Sequence, residues 1–182
     1  ISGADIIDIG GYSSRPGAKD ISIEDELNRV IPAIEILKQK FPETIVSIDT
    51  FRSRVAREAI ISGADIVNDI SGGNLDPDMF QTVSKYKVPY ILMHMRGSPE
   101  NMMNKTNYEN VTKDVCKYFS ERIDKAKSFG INDIIIDPGF GFSKTTQQNY
   151  ELLNNLEFFK ELQRPIIVGI SRKSMIYKIL NT

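Results

Sequence analysis

The sequence predicts an α/β fold, a TIM-type (β/α)8 barrel represented here by about six consecutive β/α units. Three observations predict it. Short β-branched apolar runs alternate with longer stretches whose apolar residues fall three and four apart, the helical spacing. The alternation recurs about every 30 residues, the length of one barrel unit. A segment also repeats: Gly63-Ala64-Asp65-Ile66-Val67-Asn68 copies Gly3-Ala4-Asp5-Ile6-Ile7-Asp8, and Gly130-Ile131-Asn132-Asp133-Ile134-Ile135-Ile136-Asp137 is a third version. A doubly wound open sheet is the rival, but no G-x-G-x-x-G follows any strand. Six units do not close the usual barrel, so residues 1–182 are read as one domain lacking its first and last units.

Taken in order, 4–9 reads as a strand ending at Gly10-Gly11, followed by a loop over 12–20. A helix over 24–40 has Leu27, Val30, Ile31, Ile34 and Leu37 on one face, with a kink expected at Pro32. The strand 44–48 ends at Asp49-Thr50, and the helix 52–61 is closed by Gly63 as a left-handed cap. Asp76-Pro77 reads as an N-cap with proline at the first helical position of a helix reaching Lys85. A buried strand over 89–93 ends at His94-Met95. A polar loop, 96–106, then leads into a helix over 108–129. After Asp137 come a helix over 147–162, a strand over 165–170, and a last helix opened by Ser171-Arg172-Lys173-Ser174.

The bulk numbers exclude several classes. Net charge is −1, with no basic stripe for nucleic acid or a membrane surface. No apolar run approaches the roughly 20 residues of a membrane span. The single cysteine, Cys116, allows no internal disulfide and suits a reducing, cytoplasmic compartment.

The stretch Ile134-Ile135-Ile136-Asp137-Pro138-Gly139-Phe140-Gly141-Phe142 points to a ligand. Three isoleucines read as a strand buried on both sides. Pro138 cannot donate to a ladder, and Gly139 and Gly141 permit a tight turn. Asp137 is thereby placed at the C-terminal tip of a buried strand, beside an aromatic wall of Phe140 and Phe142. Active sites of such barrels lie at those tips. The tips also carry Ser13, Ser14 and Arg15, then Asp49, Asn68 and His94, and finally Lys173. Two carboxylates and an amide facing one pocket suit a planar ligand with several N–H donors, because a carboxylate takes two parallel N–H bonds. Lys173 and Arg15 suit a phosphate or carboxylate. Each has a structural reading too: Asp49 and Asp137 as helix caps, Asn68 as a loop anchor, Lys173 as a solvated charge. His94, the only histidine, reads first as a hydrogen-bonded strand-end residue. No serine or cysteine pairs with a base and no His/Cys cluster forms a transition-metal site, so the expected chemistry is positioning and charge stabilisation.

The motifs Gly10-Gly11-Tyr12-Ser13-Ser14-Arg15-Pro16-Gly17, Ser47-Ile48-Asp49-Thr50, Asn68-Asp69-Ile70-Ser71-Gly72, Leu92-Met93-His94-Met95, 137–145 and Ser171-Arg172-Lys173-Ser174 together resemble dihydropteroate synthase. The resemblance implies a transferase of folate biosynthesis that joins 4-aminobenzoate to a dihydropterin methyl diphosphate. It implies that Asp49, Asn68, Asp137, Phe142 and Lys173 bind the pterin, with Asp49, Asp137 and Lys173 catalytic. It further implies that Ser14, Arg15 and Ser174 serve the diphosphate and aminobenzoate, with Ser14 and Arg15 on a closing loop. Mg²⁺ would accompany the diphosphate, held by an Asn on a first strand missing from this chain, and the full-length protein would be a homodimer. Two positions depart from the family loop: Tyr12 stands where it has Glu, and Ser14 where it has Thr. Without the first and last units, the 182 residues alone are expected to turn over little or nothing. The alternatives are a pterin-binding module of a methyltetrahydrofolate corrinoid methyltransferase and a non-catalytic pterin-binding fragment.

Overall fold

A computed structural model describes residues 3–15, 17–173, 175 and 176. Five strands form one parallel sheet in sequence order: β1 (Ile6–Gly10), β2 (Ile45–Asp49), β3 (Ile66–Asp69), β4 (Tyr90–Met93) and β5 (Ile134–Asp137). Helices α1 (Ile23–Lys40), α2 (Ser53–Ile61), α3 (Met79–Tyr86), α4 (Val111–Ser128) and α5 (Thr146–Asn154) follow them in turn. This is the β/α alternation that the repeat predicted.

The two faces of the sheet differ because side chains alternate along a strand. Val46, Ile48, Val67, Tyr90, Leu92, Ile134 and Ile136 point outward. They form one core with Val30 and Ile34 of α1, Val55 and Ala59 of α2, Phe80 of α3, and Val115 and Phe119 of α4. The opposite, concave face carries Asp8, Ser47, Asp49, Asn68, Ile91, Met93, Ile135 and Asp137. Register places Gly10 beside Asp49, Asp49 beside Asn68, and Met93 beside Asp137. The concave face is open at its lower end, where Ile6 and Ile45 are 40% and 43% exposed.

The structure corrects four expectations. The sixth strand, over 165–170, meets β5 only at the bridge Ile136–Ile166, with Ile167 N–H donating to Ile136 O at 3.0 Å. No strand pairs on its other side among the described residues, and Ile167, Val168 and Ile170 are exposed. The helix expected over 147–162 is α5 followed by a 3₁₀ segment, Leu156–Leu162. Asn155 lies at the break, its side-chain amide donating to Glu151 O at 2.8 Å, a local bond that competes with helix continuation. Asp76 does not cap α3, which starts at Met79. Its carboxylate instead accepts from Ser53 N–H at 2.6 Å, at the start of α2, and from Asp78 N–H at 3.0 Å. The helix expected from residue 108 starts at Val111, capped by Asn110. α1 runs through Pro32, which lies on its exposed side, where water can serve the carbonyl that proline leaves without an N–H. The last helix lies largely outside the described residues.

Candidate functional site

The loop after β5 is held at many points. Thr145 and Gln148 form a reciprocal capping box at the start of α5. Asn149 accepts from Gly141 N–H at 2.8 Å, and Ser143 Oγ accepts from Arg96 N–H at 2.9 Å. Gly139 has φ +69°, and a Cβ there would lie 2.2 Å from the His94 carbonyl oxygen. The position therefore demands glycine. Phe140 is turned into the outer core, against the expectation that it shares the pocket wall. Phe142 alone joins a second, small apolar cluster with Ile70, Met93, Met95, Met102 and Phe51, above the strand tips.

Beside this floor stand three groups with acceptor atoms that no described residue engages. Asp137 takes one bond, from Gly139 N–H at 2.8 Å to Oδ1, leaving Oδ2 open. Asn68 donates through Nδ2 to Asp8 at 3.1 Å, leaving Oδ1 open. Asp49 takes no hydrogen bond from any described residue. Its carboxylate passes over Gly10, where a Cβ would come within 3.3 Å of Oδ2. Burial, with help from the negative charges of Asp8, Asp69 and Glu26, pushes Asp49 up to about 7, against the pull of Lys173. Burial likewise raises Asp137, opposed by Gly139 N–H, Lys173 and Lys144. Lys173 Nζ sits 4.7 Å from the centre of the Phe142 ring, a cation over an aromatic face. Burial lowers its affinity for a proton, while Asp137 and Asp49 raise it. Asp49, Asn68, Asp137, Phe142 and Lys173 thus gather as the sequence reading grouped them.

Ser14 and Arg15 stand apart. Arg15 is exposed and makes no side-chain hydrogen bond to a described residue. Its loop faces Pro99 and Glu100 across a cleft also lined by Tyr12 and Ser13. Tyr12 packs edge-on against Phe51 at 5.0 Å and lies under the Arg52 guanidinium, also at 5.0 Å. Arg52 is gripped by the buried Glu26 at 2.9 Å and by Asp20 at 3.1 Å. Ser174 lies outside the described residues.

His94 is 1% exposed, and burial drives its pKa well below the usual imidazole value. Its Nδ1 lies 2.9 Å from Lys144 Nζ, which fits the hydrogen-bonded reading, and its ring meets Tyr118 edge-on at 4.8 Å. Two residues were missed. Asp8 faces the same side as Asp49 and accepts from Ser47 Oγ and Asn68 Nδ2. The two-residue alternation through Asp8 and Gly10 carried that signal. Lys144, 2% exposed, lies beneath the Asp137 loop; no apolar periodicity around it marks it as buried.

Over its whole length, residues 1–182, the chain matches the pterin binding enzyme family. The chain belongs to this family. Among its relatives, the dihydropteroate synthase of Synechocystis sp. is 48% identical over 181 residues, covering 98% of this chain and 62% of that protein. The structure of Xanthomonas albilineans dihydropteroate synthase with 4-aminobenzoic acid superposes with a TM-score of 0.91 at 40% identity, covering 98% of this chain and 63% of that one. The same enzyme in complex with 7,8-dihydropteroate gives 0.86 at 36% identity, with the same coverage. The chain therefore spans less than two thirds of the length of these relatives. At its strand tips the chain presents open acceptors beside an aromatic floor.

Proposed function

We propose that the protein carrying this chain is a dihydropteroate synthase, condensing 4-aminobenzoate with (7,8-dihydropterin-6-yl)methyl diphosphate to give 7,8-dihydropteroate and diphosphate. The supporting observation is the set of open acceptors on Asp49, Asn68 and Asp137 beside Phe142 and Lys173. A 2-amino-4-oxo pterin edge presents N–H donors in one plane, and these acceptors complement it. Phe142 packs on the ring. Lys173 donates to the pterin and lies next to the aminobenzoate. Ser14 and Arg15, with Ser174, engage the diphosphate and aminobenzoate as the loop closes.

In the reaction, the methylene C–O bond breaks and its electron pair leaves with the diphosphate. Positive charge develops on the pterin methylene, and the Asp49 and Asp137 carboxylates stabilise it. The aniline nitrogen forms the new C–N bond and loses a proton to solvent. Its attack depends mainly on orientation. Mg²⁺ belongs to this proposal as the counter-ion of the diphosphate. Among the described residues no group of three His, Cys, Asp or Glu side chains could hold a metal, and Asp8 is engaged by Ser47 and Asn68. This chain's own residues do not fit a metal cage, so no step here runs through the ion. A cytoplasmic homodimer completes the proposal on family resemblance; no helix of the described residues is long and apolar enough to cross a membrane.

The test is diphosphate release by the whole protein with and without 4-aminobenzoate. Release in step with dihydropteroate, and only when aminobenzoate is present, supports the reading. No release, or release indifferent to aminobenzoate, contradicts it. Methyl transfer from methyltetrahydrofolate to a corrinoid protein would install the rival.

A further inference from the structure

We propose that Lys144 is a positioning residue for the pterin site: its ammonium, beneath the loop, fixes the backbone that carries Asp137 and Phe142. The inference rests on the pterin reading above and extends it to a residue outside the pocket.

An ammonium is costly to bury unless each proton meets an acceptor. Burial pulls the Lys144 pKa down to about 7 while Asp137 opposes it, and in its charged form it has three protons to place. Three acceptors lie at ordinary distances: His94 Nδ1 at 2.9 Å, Gly139 O at 3.0 Å and Phe142 O at 3.0 Å. The His94 carbonyl oxygen is a longer fourth, at 3.4 Å. Gly139 lies two residues after Asp137, and Gly139 N–H is the donor that holds Asp137 Oδ1. Phe142 carries the ring under Lys173. His94 follows the last residue of β4, and its N–H donates to Asp137 O at 3.0 Å. One ammonium therefore joins the Gly139 carbonyl two residues past Asp137, the Phe142 carbonyl and the neighbouring strand end. With Nδ1 accepting, the neutral His94 ring carries its proton on Nε2. Lys144 makes no hydrogen bond to Asp49, Asn68 or Asp137, so its influence on a ligand runs through the loop. Without the amine, two carbonyls and an imidazole nitrogen converge on an empty centre and are left unpaired. The loop then relaxes away from β4, moving Asp137 Oδ2 and the Phe142 ring relative to Asp49.

The experiment uses the whole protein and a 6-hydroxymethylpterin diphosphate analogue as probe, at a temperature where every variant is folded. Lys144→Met keeps the apolar stem and removes the amine. It is expected to weaken analogue binding about tenfold to a hundredfold, the scale of a small misplacement. kcat/KM for the pterin substrate should fall by a similar factor. Ile34→Ala, in α1 and remote from the loop, supplies a comparable loss of melting temperature and is expected to keep parental affinity. If Lys144→Met also keeps parental affinity, Lys144 supports only the fold and the proposal is overturned. Should Lys144→Met not fold, Lys144→Gln retains two donors and is expected to fold with an intermediate affinity loss; parental affinity there overturns the proposal. The parent and Asp137→Asn separate this from the functional reading. If the parent does not bind the analogue, the pterin reading fails. If Asp137→Asn abolishes binding while Lys144→Met leaves it intact, only the role of Lys144 fails.

Discussion

At the end of β2, Asp49 lies on the concave face without a hydrogen bond from any described residue. At the end of β3, one strand over, Asp69 lies on the helix face and accepts three: Tyr90 OH at 2.7 Å, Ser71 N–H at 2.7 Å and Gly73 N–H at 2.8 Å. Burial raises the pKa of both. In Asp69 that penalty is offset by donors belonging to the fold. In Asp49 it persists and is worsened by neighbouring acids. A carboxylate kept open in that way is ready for donors from outside. At these strand tips the face a residue occupies, not its residue type, thus decides whether its acceptors are taken up by the fold or left open.

Asp49 and Asp69 should differ most in what they contribute to stability. Asp69→Ala leaves the Tyr90 hydroxyl and two buried N–H groups unpaired, and should cost about 3–5 kcal/mol in denaturant unfolding. Asp49→Asn removes a buried charge and should leave stability equal or higher. Equal losses for the two would erase the distinction.

The stability of the protein should also depend on pH through Asp49. Asp49 is raised from the ordinary carboxylate range to about 7. Between those values the folded state holds a proton that the unfolded state has lost. Its contribution to stability is therefore fully present below about pH 4 and is lost as pH rises through about 7, on the order of 4 kcal/mol at most. Asp49→Asn should flatten that segment of a stability-against-pH curve. A curve unchanged by the substitution would show that Asp49 is not so perturbed.

The smallest effect concerns the floor. Phe142→Leu keeps an apolar side chain but loses the ring under Lys173. It should weaken pterin binding by about 1 kcal/mol and leave the melting temperature within a degree or two. A large stability loss instead would make Phe142 part of the core, as Phe140 is.

Much of this was legible in the sequence. Short β-branched apolar runs and helical apolar spacing located the five paired strands and their helices, and the strand tips named Asp49, Asn68 and Asp137. What stayed hidden depended on distant partners. Nothing local says that Asp76 serves Ser53 on another helix, or that Asn155 would bond back to Glu151 and break a periodic stretch. Phe140 and Phe142 stand two apart in one loop, yet one enters the core and the other the pocket, because Gly141 between them is left-handed and tied to Asn149. Lys144 carries no signal of burial in its neighbours' identities; its three acceptors are backbone and histidine atoms brought together only by the fold.

The most direct test is calorimetric titration of a 6-hydroxymethylpterin diphosphate analogue into the whole protein and into Asp137→Asn, with circular dichroism on both. Asp137→Asn keeps a side-chain oxygen for Gly139 N–H but gives up the carboxylate charge. The account predicts that the parent binds and that the variant, equally folded, loses about a hundredfold in affinity. Equal binding by both, or no binding by a folded parent, would contradict it.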